Sequence, residues 1–209
     1  MGMEIQCDNL AKRYMKDWIF KDFDFTFEKG EIYAIQGHNG AGKSTLLKTL
    51  CGYLSPSRGS NTYLSKEGKS VSRDDLYPYL SFAAPYMDLI EELTALEMLQ
   101  FHGKLCPFWK DSSINSLIEL FNLKEHKNKE IRFFSSGMKQ RLKLGLAIMS
   151  RSELLILDEP GTNLDKTNLH WFQELLDSQK RDRTVIIASN QEEDLTLCNH
   201  FVNLEAYKI

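Results

Sequence analysis

The sequence predicts an α/β fold. Two continuous apolar runs, Leu154-Leu155-Ile156-Leu157 and Val185-Ile186-Ile187-Ala188, read as strands buried on both faces of a parallel sheet. Stretches of helical period lie between them, and a glycine-rich loop from Gly37 to Ser44 joins an apolar strand to a helix. With 209 residues, 42% of them apolar, the chain can bury a sizeable core, and a single domain over 1–209 is expected.

The β-forming residues come first. Met3 to Cys7 opens the series, and Phe23-Asp24-Phe25-Thr26-Phe27 follows, its three phenylalanines on one strand face. After the Lys29-Gly30 turn, Glu31-Ile32-Tyr33-Ala34-Ile35 forms a third strand, and Leu46, Leu47 and Leu50 mark the apolar side of the helix beyond the loop. Thr94-Ala95-Leu96-Glu97 is a capping box that opens a further helix. Ile114, Leu117, Ile118 and Phe121 follow Ser112-Ser113, and Met138, Leu142, Leu146 and Met149 follow Ser135-Ser136; both sets have amphipathic helical spacing behind serine caps. Asp165 caps a segment with Leu169, Phe172 and Leu176 as its stripe. These stripes read as core. Ser55 to Ser60 and Lys66 to Lys69 read as turns, and the mixed charges of Lys124 to Arg132 as solvated surface.

Charge narrows the partners. With 26 Lys+Arg against 29 Asp+Glu the formal net charge is −3, so no nucleic-acid partner is expected and any anion must be held locally. The four cysteines are far apart and form no C-x-x-C pair, which fits a reducing compartment better than a disulfide framework. Strictly apolar runs are short, whereas a membrane helix needs about 20 residues. Met1-Gly2-Met3-Glu4 shows no basic segment followed by an apolar stretch, so no export is expected. The five histidines have no metal-ligand spacing.

Gly37-His38-Asn39-Gly40-Ala41-Gly42-Lys43-Ser44 matches G-x-x-x-x-G-K-[ST], a pattern that chance places in a chain this long only about 1% of the time. Its glycines let the backbone wrap closely around phosphates, with successive N–H groups and the helix N-terminus facing them. Lys43 adds a point charge toward the β- and γ-phosphates, and the Ser44 hydroxyl is placed to ligate Mg²⁺. The second half of such a site is an apolar strand ending in an acid, and Leu154 to Leu157 runs directly into Asp158-Glu159. Asp158 is expected to hold the metal. Glu159 is expected to polarise a water for in-line attack on the γ-phosphate.

Together these residues resemble one family, the ATP-binding cassette ATPases that serve as nucleotide-binding subunits of ABC transporters, over nearly the whole chain. Phe134-Ser135-Ser136-Gly137-Met138-Lys139-Gln140-Arg141 is similar to the family signature L-S-G-G-Q-x-Q-R, and Gly161-Thr162-Asn163-Leu164-Asp165 to its D-loop. The resemblance extends the nucleotide loop from Gly37 through Thr45 and sets Tyr14 where an aromatic stacks on adenine. It implies a P-loop NTPase core with mixed sheet, an antiparallel β subdomain from about 1–30 and 56–82, and a helical subdomain near 86–150. It also implies that ATP and Mg²⁺ are sandwiched between the P-loop of one subunit and the Ser135, Ser136, Gly137 and Met138 signature of another. The partners implied are therefore a second ABC ATPase subunit, identical or not, and an integral membrane permease. The chain would then sit at the cytoplasmic face of a membrane through that permease.

The sequence departs from the family pattern at two places. Counting back from Leu93-Thr94 puts Pro85 where the family has a glutamine, and Asn190 follows the Val185 to Ala188 strand where the family has a histidine on the γ-phosphate. Asn190 can donate a hydrogen bond and carries no charge. Two functions remain open: an ATPase that drives a permease, with Glu159 and Asn190 as its catalytic residues, and a regulatory cassette that dimerises around nucleotide with little hydrolysis.

Overall fold

The computed structural model describes residues 2–109 and 112–208. In chain order it runs β1 (Glu4–Tyr14), β2 (Asp17–Phe27), β3 (Ile32–Gln36), α1 (Lys43–Leu50), β4 (Arg58–Leu64), β5 (Ser70–Val71) and β6 (Leu80–Ala83). There follow α2 (Ala95–Leu105), α3 (Ile114–Leu120), α4 (Ser136–Met149), β7 (Leu154–Asp158), α5 (Lys166–Gln179), β8 (Thr184–Ala188) and β9 (His200–Asn203). Among the described residues no helix is long and apolar enough to cross a membrane.

The strands form two sheets. A five-stranded sheet in the order β6-β7-β8-β3-β9 is parallel throughout, and a four-stranded sheet in the order β2-β1-β4-β5 is antiparallel. The mixed character expected of the core is thus divided between separate sheets. The stretch expected at about 56–82 contributes to both, since β4 and β5 pair in the antiparallel sheet while Leu80–Ala83 joins the parallel one.

Alternation along the parallel strands explains their unbroken apolar runs. Leu155, Leu157, Val185 and Ile187 face one core, packed by α2, α3, α4 and α5, while Leu154, Ile156, Ile186 and Ala188 face another that holds α1 and the phenylalanine face of β2. Phe23, Phe25 and Phe27 do share that face, their ring centroids 4.8–6.4 Å apart.

Helix starts follow local chemistry. Thr94 and Glu97 form the expected capping box, Ser135 accepts from the Met138 N–H, and Asp165 accepts from the Asn168 N–H. Ser113 rather than Ser112 caps α3. The stripe assigned to α4 is too narrow: Leu144, Gly145, Ala147 and Ile148 are buried beside Leu142, Leu146 and Met149. This helix is enclosed by its neighbours, and a Cβ on Gly145 would lie 2.5 Å from the Phe121 ring.

Candidate functional site

The loop from Gly37 to Ser44 connects β3 to α1 at the carboxyl ends of the parallel strands. Gly40 and Gly42 have φ of 82° and 99°, a region open to glycine, and a Cβ at Gly42 would collide with Ile19 of β2 at 2.3 Å. Gly42 is also the N-cap of α1, which has no side-chain cap and no acid in its first turn. Its first amides are therefore left for an external anion.

Lys43 is the centre of the arrangement. It is 6% exposed, and its ammonium donates to Gly37 O at 2.9 Å and to Asn190 Oδ1 at 2.8 Å, with Glu159 Oε1 at 3.5 Å. The Asn190 amide nitrogen in turn donates to Asn39 Oδ1. Four residues from three separate segments, Asn39, Lys43, Glu159 and Asn190, thus meet at one place.

Carboxylates crowd the same end. Asp158 ends β7 at 4% exposure; burial, with the charge of Glu159 adding to it, pushes its carboxyl above the ordinary value, while the Ser44 hydroxyl bonded to it opposes the rise. Its Oδ1 is buried without a partner. An orphaned acid oxygen beside a hydroxyl is a fit for Mg²⁺, which needs only one or two protein ligands when phosphates and waters complete its shell. Glu159 follows in a left-handed backbone, φ 45°, fixed by its N–H to Ala188 O at 2.7 Å. Ser189 Oγ lies 3.3 Å from Glu159 Oε2 and donates to Asp194 Oδ2 at 2.6 Å. Asp194 is likewise pushed upward, mainly by burial.

The remaining expected residues fall in several places. Ser135 is occupied as the α4 cap, Ser136 is exposed, and a Cβ on Gly137 would lie 3.4 Å from Asn163 O, so the signature turn abuts the D-loop. Among the described residues no hydrogen bond or ion pair joins Ser135–Met138 to the P-loop. Asn163 has φ 65°, Leu164 packs on the helical core, and the Asp165 carboxylate is committed to capping α5. Tyr14 is half-exposed at the end of β1 with the Lys12 ammonium 5.4 Å from its ring.

Within the loop, the His38 N–H donates to Glu205 Oε1 at 2.9 Å, and the same oxygen sits 2.8 Å from His38 Nδ1. Pro85 offers only its carbonyl, which, with that of Ala84, accepts from Lys143 of α4 at 2.9 and 3.1 Å.

Sequence reasoning passed over Ser189, Asp194, Lys143, Glu205 and also Gln140, whose amide donates to Pro160 O from a buried position. Asp194 belongs to the acidic run Glu192-Glu193-Asp194, which carries no mark of burial. Ser189 could have been noticed from its place directly after an apolar strand.

Residues 20–162 match the family model described as ABC transporter. An uncharacterized ABC transporter ATP-binding protein, YybJ of Bacillus subtilis, is 33% identical over 93% of this chain and 89% of its own length. Human phospholipid-transporting ATPase ABCA3 is 31% identical over 81% of this chain, which spans only 10% of that protein. Among solved structures, a putative ABC transporter ATP-binding protein from Pyrococcus furiosus superposes with a TM-score of 0.81 at 23% identity, covering 99% of this chain and all of that one. An ATP-binding cassette solved as a post-hydrolysis dimer with ADP and Pi gives 0.80 at 20% identity, over 98% of this chain and 96% of that one. These two likenesses show the fold. The family match, the relatedness to YybJ and the Lys43, Asp158 and Glu159 cluster together establish that this chain belongs to the ABC transporter family as an ATP-binding cassette.

Proposed function

We propose that the cassette binds and hydrolyses ATP as it dimerises with a second ABC ATPase subunit, and that this cycle drives a separate membrane permease. The observation that carries the reading is the convergence of the Lys43 ammonium, the Glu159 carboxylate and the Asn190 amide in front of the uncapped end of α1. Lys43 would trade its internal acceptors for β- and γ-phosphate oxygens. Glu159, which Ser189 and its own backbone hold in place, would take the proton of an attacking water. Ser44 and Asp158 would hold Mg²⁺, which supplies charge neutralisation at the phosphates. Ser135, Ser136, Gly137 and Met138 would serve the nucleotide of the second subunit, Asn163, Leu164 and Asp165 would line the shared interface, and Tyr14 would stack on adenine. The chain would act at the cytoplasmic face of the membrane.

Pro85 and the uncharged Asn190 favour a second reading, a regulatory cassette that dimerises on nucleotide with little turnover. Glu159 supports the first, because a cassette without hydrolysis has no use for a carboxylate there. Binding of a fluorescent ATP analogue tests both: Lys43→Ala should weaken it at least tenfold, about 1.4 kcal/mol, and an unchanged dissociation constant would overturn the nucleotide reading.

A further inference from the structure

The geometry points to a second ligand site, for an amphipathic organic anion such as a medium-chain carboxylate, in the cleft at the amino ends of β6 and β7. This cleft is about 840 Å³ in volume, within the size range of small-molecule pockets. It opens at the end of the sheet opposite Lys43 and Glu159, roughly 13 Å away along β7 by the rise of a strand.

Its buried polar groups want an acceptor. Ser81 lines the cleft at 6% exposure, and its hydroxyl has no hydrogen-bond partner; Trp109 lines it too, and its indole N–H is buried without an acceptor. An indole N–H can only donate, and a hydroxyl that lacks an acceptor is free to do so. A carboxylate is acceptor-only and suits both.

A fixed positive charge stands behind the same wall. Arg183 is 1% exposed and donates to Ile148 O, Ser150 O and Ser152 Oγ, the last two belonging to residues that line the cleft. The carbonyls at the end of α4 satisfy its terminal nitrogens, but its Nε has no acceptor, and no carboxylate pairs with it among the described residues. Burial, aided by Arg181, lowers this guanidinium to about 9, so it stays charged at neutral pH. At the rim Lys66 and Arg151 are exposed cations, against Glu153, whose carboxylate accepts the Lys66 N–H at 2.7 Å. In a chain of net charge −3 this local excess of positive charge is not a general property of the surface.

The apolar half of the ligand also has a place. Tyr77 and Leu105 line the cleft at 71% and 61% exposure, large side chains left uncovered there. An alkyl chain would find apolar cover against these side chains while its carboxylate meets the donors.

Isothermal titration of the full chain with decanoate, and with decan-1-ol as the neutral control, tests the site. One-to-one decanoate binding at least tenfold tighter than decan-1-ol is expected. In the Lys66→Glu/Arg151→Glu variant, decanoate should lose at least tenfold in affinity with decan-1-ol unchanged; both substitutions are on exposed side chains, and retained binding of the ATP analogue checks the fold. Ser81→Leu, which removes the donor and fills the floor, should weaken decanoate as well. The proposal is overturned by an absence of saturable decanoate binding, by equal affinity for the alcohol, by a charge-reversed variant that binds like wild type, or by competition between decanoate and the ATP analogue.

Discussion

Glu159→Gln exchanges one carboxylate oxygen for an amide nitrogen and leaves the shape of the side chain intact. Its consequences can be followed contact by contact. The backbone of residue 159 is held by its N–H to Ala188 O, and a glutamine amide N–H can donate to the Ser189 oxygen that lies 3.3 Å from Glu159 Oε2. Lys43 loses an ion-pair partner at 3.5 Å but keeps Gly37 O and Asn190 Oδ1 at 2.9 and 2.8 Å, so ATP affinity should change less than about threefold, under 1 kcal/mol. The proton acceptor, in contrast, is gone. A positioned general base contributes roughly 10² to 10⁴ in rate, or about 2.7 to 5.4 kcal/mol of barrier. Single-turnover phosphate release should therefore fall at least a hundredfold, and size-exclusion chromatography in Mg-ATP should show a larger dimer population than wild type. Turnover within threefold of wild type, at unchanged ATP binding, would refute the assignment of Glu159 and favour the regulatory reading.

Three other outcomes are expected. Asn190→His should raise steady-state ATPase several-fold with little change in ATP affinity, and adding Pro85→Gln should raise it further if, as the family resemblance implies, the two positions act on the same water and phosphate; a fall in both variants would mean that the site is adapted to asparagine and proline. Asp158→Asn should abolish Mg²⁺-dependent hydrolysis yet raise the melting temperature at neutral pH, since it removes a buried carboxylate whose Oδ1 has no partner. Because the folded value of Asp158 is raised, the folded state binds its proton more tightly than the unfolded chain, so this group favours folding at low pH and opposes it as pH climbs from 3.8 through the raised value. The difference in melting temperature between Asp158→Asn and wild type should accordingly grow with pH across that window, and a constant difference would contradict the burial argument. Gly145→Ala gains about 1 kcal/mol of helix propensity but drives a methyl to 2.5 Å from the fully buried Phe121 ring, where overpacking costs about 1–3 kcal/mol; urea unfolding should show a net loss that Phe121→Leu partly restores.

Features that arise from neighbours in the chain were legible in the sequence. The P-loop, the strand leading into Asp158-Glu159 and the caps Thr94, Ser135 and Asp165 each depend on hydrogen bonds or periodicity spanning a few residues, and each stands where the residues place it. The placement of Asn190 after an apolar strand was readable for the same reason, but its contacts were not. Those depend on β3 lying beside β8 in the sheet, which brings residue 190 to Lys43, 147 positions earlier. Strand order is decided by how two cores pack on the two faces of the parallel sheet, a balance no local window contains. The same holds for the fates of polar side chains. Glu205 reaches His38 across 167 positions, Lys143 grips the Pro85 loop, and Arg183 and Asp194 are buried although their neighbours in sequence are charged. A polar side chain is tolerated in the interior only when distant groups supply its hydrogen bonds. Sequence therefore specified which residues could perform the chemistry at each segment, while the tertiary structure alone decided which of them meet, because the partners that satisfy or strain each charge are brought together only when the sheets close.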